Sequence, residues 1–424
     1  MPEIDDPVII RHRNLEKIAM TAANAGRILL ETGGRAHIVH EGATMVAKGL
    51  GAERVHIRVG FASLALTVSN GANTITRMMG VGPHGVNMSL NHAVRELCTK
   101  VGEGGMTIEE TDDALTALTT RTPRHHWLVV ALAVGIACGS FGRLLGIDWP
   151  AFLPVILGAA VGQSVRHHLI RLRVNGFVVA AIVALVASAT AGAVSGLAGS
   201  VMVETAMFAS VLLLVPGVPA LNAQTDIMEG SPTMGSARAV HVFMILVFTT
   251  VGVWLAQAFL GEVSAAEPLY RSVLHQCLFG ATAAAGFGVL FNFSWPAVAW
   301  AAGAGAVALT VRTLGLDAGW SLEAASFLAA ASSAGYVRLI NLPPFRVRQA
   351  GNALAVAGCI PMVPGSAAAH AIMGLLKLTA QSPVDAHETL LFTVESGLTV
   401  VFTIGALGAG VAIVTSFLRH REFR

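Results

Sequence analysis

From Trp127 onward the chain is a succession of long apolar stretches with almost no charge between them. Such a polypeptide folds only where lipid surrounds it and where its own helices satisfy the backbone polar groups. Stretches close to the roughly 20 residues that a spanning helix needs centre near Ala137, Leu157, Ala184, Ser210, Val251, Ala283, Ala304, Ala330, Pro364 and Ile404. The fold expected is an α-helical polytopic membrane protein of about ten transmembrane helices. Composition agrees, since 54% of the residues are hydrophobic and only 12% are charged, outside the range of soluble domains. The net charge of +2 gives no support to nucleic-acid binding, because topology places most lysines and arginines of such a chain.

Residues 1–126 differ, with charges throughout. An amphipathic pattern runs from Leu15 to Leu30, breaks at Gly33 and Gly34, and resumes from Ala36 to Leu50. Arg54 to Val59, Leu64 to Ser69 and a segment through Ile75 to Met79 read as strands, and helices return from Val86 to Val101 and after Thr107. The domains expected are a small α+β domain over 1–122, a first five-helix membrane segment over 123–262 and a second over 268–424. Met1 to Asn14 holds Glu3, Asp5 and Asp6 and no apolar core, so no signal peptide is expected and the amino terminus should remain cytoplasmic. Arg121, Arg124, Arg166, Arg171, Arg173, Arg238, Arg338, Arg346, Arg348, Arg419, Arg421 and Arg424 fall on one side of the expected spans, against Arg143, Arg271, Arg312 and Lys377 on the other. By the positive-inside rule both termini are then cytoplasmic. Cys98, Cys138, Cys277 and Cys359 stand singly, without metal-ligand spacing, and read as buried thiols; neither a metal nor a cofactor is called for.

The membrane part repeats itself. Phe141-Gly142-Arg143-Leu144 with Trp149-Pro150-Ala151 recurs as Phe287-Gly288-Val289-Leu290 with Trp295-Pro296-Ala297, and Arg166 recurs as Arg312, at one offset (295 − 149 = 146). Val215-Pro216-Gly217 recurs as Val363-Pro364-Gly365 (364 − 216 = 148). Convergent packing of small residues is the bland explanation; ordered recurrence favours duplication. Five spans per half is an odd number, so the halves would insert as inverted repeats, with substrate near the midplane.

Candidate site residues follow from that plan. Pro216-Gly217 and Pro364-Gly365 each break the fourth span of a half, and the N–H groups freed there, with Ser366 beside them, suit a substrate carboxylate. A proline kink used for packing alone is the alternative. Glu204 and Glu395 are acids in apolar surroundings, suited to a substrate ammonium or a proton, or else to reaching the headgroups from a span end. Asn222 follows the first break as a further substrate-binding candidate. Asp226 and Arg238 suit a gating ion pair, or a solvated loop. His370 suits a proton relay, or a satisfied interior histidine. Gly33-Gly34-Arg35 with His37, His40 and Glu41 reads as a turn between helices rather than a metal or hydrolase site.

Taken together, Leu29-Leu30-Glu31-Thr32-Gly33-Gly34-Arg35, Pro216-Gly217 with Asp226, Gly230 and Arg238, and Ile360-Pro361-Met362-Val363-Pro364-Gly365-Ser366 resemble the threonine/serine exporter family over nearly the whole chain. The resemblance implies a cytoplasmic amino-terminal domain, about ten membrane helices, and export of threonine and serine across the bacterial inner membrane by proton antiport. Two-chain relatives are associated instead with dicarboxylate export. The expected function is therefore a secondary transporter and not an enzyme, with threonine, serine, protons and membrane lipid as partners and homo-oligomerisation left open. A succinate-like dicarboxylate exporter is the nearest alternative, and a membrane-anchored enzyme or sensor acting through the soluble domain is the next.

Overall fold

The computed structural model describes residues 7–261, 272–342, 352–378 and 386–417. The described residues pack as two units, one formed by residues 7–124 together with Asn222–Arg238, the other by His125–Leu221 and the described residues between 239 and 417. The sequence reading counts 222–238 within the first membrane segment, and its grouping with the amino-terminal stretch is the main departure from a linear division. Arg271, Arg346, Arg348, Arg419, Arg421 and Arg424, used above for orientation, lie outside the described residues.

In the first unit, α1 (Pro7–Glu31) and α2 (Ala36–Gly49) precede the strands β1 (Arg54–Val59), β2 (Ser63–Asn70) and β3 (Asn73–Gly80), and α3 (Met88–Gly102) and α4 (Ile108–Arg121) follow them. The strands form an antiparallel meander in sequence order, in register from Val59 opposite Leu64 to Asn70 opposite Asn73. Gly71, at φ +56°, supplies the left-handed residue of the tight turn between β2 and β3. Alternation along β2 turns Leu64, Leu66 and Val68 inward, where they meet the alanine-rich face of α1 (Ala19, Ala22, Ala23) and Leu29 and Leu30. Truncating Leu66 to alanine in so closed a core costs about 2–5 kcal/mol. At the start of α4, where the sequence places a helix after Thr107, the Thr107 side chain accepts the Glu110 N–H and the Glu110 carboxylate accepts the Thr107 N–H, a reciprocal cap.

The second unit is helical: α5 (Trp127–Leu144), α6 (Trp149–Arg171), α7 (Gly176–Leu197), α8 (Val203–Val211), the start of α9 (Gly217–Met228), most of α10 (Pro232–Leu260), α11 (Val273–Leu290), α12 (Trp295–Asp317), α13 (Leu322–Ile340), α14 (Asn352–Cys359), α15 (Gly365–Leu378) and α16 (Ala386–Phe417). Among the described residues six helices, α5, α7, α10, α11, α12 and α16, are long and apolar enough to cross a bilayer, and α14 with α15, bent by 52°, makes a seventh if the pair counts as one span. The chain is thus a polytopic membrane protein by its helices.

The repeat extends to the element boundaries. Moving α5 by 146 positions gives the limits of α11, and moving α6 gives those of α12, at both ends. Even the left-handed turn residues correspond, Gly146 (φ +92°) to Asn292 (φ +56°) and Arg173 (φ +56°) to Gly319 (φ +82°). Phe141 packs edge-to-face on Phe287, the residue 146 positions on, with ring centroids 5.8 Å apart. Small residues let these helices approach: a Cβ on Gly286 would lie 2.7 Å from the Ala133 carbonyl oxygen and a Cβ on Gly158 2.6 Å from that of Ala187.

Candidate functional site

The two Pro-Gly breaks are built alike. After α8 the chain tightens into a 3-10 turn at Leu212–Leu214, extends at Val215 (φ −65°, ψ 116°) and restarts as α9 at Gly217. After α14 it tightens at Ile360–Met362, extends at Val363 (φ −65°, ψ 124°) and restarts as α15 at Gly365. Proline explains the interruption, because it has no N–H to continue the ladder and forces the preceding residue out of the helical region. The Pro216 carbonyl accepts the Ala220 N–H at 3.0 Å, and the Pro364 carbonyl accepts the Ala368 N–H at 3.0 Å, so each proline caps the helix that follows it. Gly217 and Gly365 turn their N–H groups back to Val215 and Val363, each at 2.8 Å. Ser366 and Ala367 then open α15 with first-turn N–H groups, whereas α9 has proline at position 219 and opens with Val218 alone. The second break is therefore the richer donor.

The breaks face each other. A Cβ on Gly217 would meet Ile360 at 3.3 Å, and one on Gly365 would meet Val215 at 2.8 Å and Leu212 at 3.0 Å. Ile360 is the repeat counterpart of Leu212 (360 − 212 = 148), so the contact is reciprocal and either glycine is needed where the other half presses closest.

Polar groups from both halves gather beside this crossing. Glu204 stands in the first turn of α8, and the Gln257 amide of α10 donates to its Oε1 at 3.5 Å. One turn further along α8, the Phe208 ring lies edge-on to the His370 ring of α15, centroids 4.8 Å apart, and Phe392 of α16 closes the other side at 5.6 Å. Glu204 acts electrostatically on His370. Pro216, Pro364 and Ser366 are part-buried and Gly217 and Gly365 buried. Glu395 is apart from this group, on the exposed face of α16, while its neighbours Thr393 and Ser396 are buried.

The remaining candidates lie in the first unit, gathered on the Gly33-Gly34-Arg35 turn. Asp226 is fully buried and its Oδ1 accepts the Ala36 N–H at 2.8 Å, satisfying a first-turn donor of α2. Its Oδ2 lies 3.0 Å from Nη1 of Arg238, ion-pair contact without hydrogen-bond alignment. Arg238 Nη2 donates to the Gly34 carbonyl at 2.6 Å, the Asn222 amide donates to the Gly33 carbonyl at 3.0 Å, and Arg35 pairs with Glu229 at 2.6 Å. Met234 joins the core of the same unit. Gly33 sits at φ +98°, and a Cβ on Gly34 would lie 2.6 Å from the Leu29 carbonyl oxygen, so only glycines make this turn.

Among the described residues no group of three or more histidines, cysteines or acids is placed to hold a metal, and His37 stands 3.9 Å from Glu41 as a helix-surface pair. Burial pushes the Cys98 thiol up to about 12, so it is unreactive while the unit is closed. Burial also holds the His92 ring below the ordinary histidine value, Glu96 partly opposing.

Comparison with known proteins places this geometry in a family. Residues 20–260 match the ThrE model of threonine/serine exporters, and residues 276–417 match a second model, described as Threonine/Serine exporter, ThrE. The chain belongs to the threonine/serine exporter family. Two curated relatives of the exporter carry the name "Probable succinate transporter subunit YjjP": one from Klebsiella aerogenes, 27% identical over 235 residues, covering 55% of this chain and 90% of the relative, and one from Escherichia coli K12, 26% identical over 233 residues, covering 54% and 90%. No solved structure matches the exporter.

The sequence pairs Asp226 with Arg238 but misses what they hold. Glu229, which pairs with Arg35, and Gln257 and Phe208, which meet Glu204 and His370, are neighbours of the candidate residues that sequence reasoning passes over. The available signal was that Gly33-Gly34-Arg35 and the Asp226 to Arg238 stretch both carry the family resemblance, which is how two distant segments in contact would behave.

Proposed function

We propose that this membrane exporter is a secondary carrier for small hydroxy amino acids, threonine and serine, working as two inverted five-helix halves whose ten spans include α6, α13 and the broken α8–α9 pair. The reciprocal packing of the two Pro-Gly breaks carries the reading, because unwound backbone deep in lipid survives only where protein or a cavity receives it. The N–H groups opening α15, with Ser366, seat the substrate carboxylate. Glu204 receives the ammonium, its cost in an apolar setting being offset when a cation binds. His370, in electrostatic contact with Glu204, takes the counter-transported proton. Asp226 and Arg238 act as a latch at the end of the broken span, with the first unit and both termini cytoplasmic, in the inner membrane.

The names of the two relatives favour a second reading, export of a succinate-like dicarboxylate. The acid at position 204 separates the two, since a dianion gains nothing from a carboxylate in its seat. Counterflow in proteoliposomes with threonine, serine and succinate, with and without an imposed pH gradient, tests both on the parent and on Glu204→Gln. The amino-acid reading expects threonine counterflow in the parent and its loss in the variant. Succinate counterflow that survives Glu204→Gln, with no threonine counterflow in the parent, overturns it.

A further inference from the structure

One corner of the second unit gathers an arginine, three histidines and a tryptophan that the transport reading leaves unused. Trp127 opens α5, and its indole stacks on the His167 ring with centroids 5.4 Å apart and planes 15° from parallel. His168 meets the same indole edge-on at 5.8 Å, and His126 lies beside it at 5.9 Å. Arg171 ends α6 close enough to act on His167 electrostatically, as do His126 and His168. His126, an exposed residue, uses Nδ1 to accept the Leu128 N–H at 3.4 Å, which leaves Nε2 as its donor. His167 Nε2 is occluded and has no hydrogen-bond partner among the described residues. No acid lies in the two helix ends that form the corner, residues 125–130 and 164–173.

Directly along α5 from this corner runs a stripe of bare apolar side chains one turn apart, Leu128, Leu132 and Ile136, exposed by 48%, 60% and 48%. An arginine among imidazole rings, an interfacial tryptophan and an apolar stripe leading away from them reproduce the order of chemistry along one phospholipid, headgroup then tail. Fold geometry does not require the cluster. At the repeat-equivalent corner, 146 positions on, Ser272, Val273, Thr313, Leu314 and Asp317 stand in place of His126, Trp127, His167, His168 and Arg171. At these five positions the same helix ends therefore carry no histidine, tryptophan or arginine, and one acid, although Arg312 recurs in place of Arg166. An arginine with histidine donors on one side only suits the leaflet that carries anionic lipid.

We propose that His126, Trp127, His167, His168 and Arg171 form a binding site for the phosphate of an anionic phospholipid, whose acyl chain lies along Leu128, Leu132 and Ile136. Arg171, with the exposed His126 and His168, supplies donors to the phosphate oxygens, His167 stacks beneath the indole, and the indole covers the glycerol region. The site is separate from the Pro-Gly crossing and holds whichever substrate the exporter carries.

The test uses the full chain in vesicles of phosphatidylcholine alone or with phosphatidylglycerol at about one part in five, a content that gives a surface potential of the size anionic leaflets show. Thermal stability and the number of lipids retained in native mass spectrometry are read for the parent, for His167→Ala/His168→Ala/Arg171→Ala and for the milder Arg171→Gln. Retention of phosphatidylglycerol and a rise in Tm for the parent, both reduced in Arg171→Gln and lost in the triple variant, is the expected result. If the triple variant fails to fold, Arg171→Gln alone decides. Equal retention in parent and variants overturns the proposal, as does equal stabilisation by phosphatidylcholine. Inorganic phosphate that matches the lipid's effect also overturns it, since the site would then take a free anion.

Discussion

Replacing Arg238 with alanine should open the first unit, and the size of the effect follows from its surroundings. Arg238 and Asp226 are buried, 3.0 Å apart, with 5% and 0% of their side-chain surfaces exposed. Removing the guanidinium strands the carboxylate without its countercharge, which costs about 3–5 kcal/mol for a buried pair. The Gly34 carbonyl loses its donor in the same step. Cys98 reports the outcome, because it is fully buried in this unit and unreactive until the unit opens. In full-length protein with Cys138, Cys277 and Cys359 replaced by alanine, maleimide labelling of Cys98 should accelerate on the order of 10² to 10³-fold, at about 1.4 kcal/mol per factor of ten. A second variant separates stranded charge from lost packing. Asp226→Leu with Arg238→Met strands no charge but leaves the Ala36 N–H and the Gly34 carbonyl unpaired, at about 1–3 kcal/mol each, so it should recover only part of the loss. Labelling within twofold of the parent in Arg238→Ala would falsify the idea that this pair holds the unit together.

Three further outcomes are expected. Gly33→Ala, forced to keep φ near +98°, should destabilise the first unit by about 1–2 kcal/mol, seen as a lower urea midpoint for Cys98 exposure; an unchanged midpoint refutes the need for glycine there. Gly365→Ala places a methyl 2.8 Å from Val215 and Gly217→Ala one 3.3 Å from Ile360, so the former should lower Tm more, overpacking costing about 1–3 kcal/mol, and the reverse order contradicts the reciprocal packing. His92 binds its proton less tightly in the folded unit than in the unfolded chain. Below about 6.5 the unfolded chain takes up the proton first, so stability of this unit is present above that pH and declines as pH falls through it; His92→Gln should flatten the dependence of the urea midpoint on pH, and a slope unchanged by the substitution counts against the assignment.

Much of the architecture is legible because its causes are local. Alternation along Ser63–Asn70 and the Thr107 to Glu110 cap act within a few residues, so strands and helix starts follow from the sequence. The recurrence is legible for a different reason: Trp-Pro opens α6 and α12 and Val-Pro-Gly marks both breaks, so the same punctuation accompanies matching boundaries. Site residues are less so. Glu204 and Glu395 look alike in hydrophobic context, and only packing turns Glu395 to an exposed face and sets Glu204 near His370. Asn222, read beside the break as a substrate ligand, gives its amide to the Gly33 carbonyl. Nothing local to Asp226 announces that it caps a helix 190 positions away.

Opposed insertion of the two halves is the claim on which the carrier mechanism stands, and side-specific labelling tests it most directly. Asn175 and Ser321 are repeat equivalents (321 − 175 = 146), each the exposed cap of its helix, α7 and α13. Single cysteines at these positions, in a background freed of the four native ones, are exposed to an impermeant thiol reagent in sealed vesicles of known orientation. Labelling of one from inside and the other from outside is the result expected. Labelling of both from the same side contradicts inverted halves and removes the basis for alternating access around the Pro-Gly crossing.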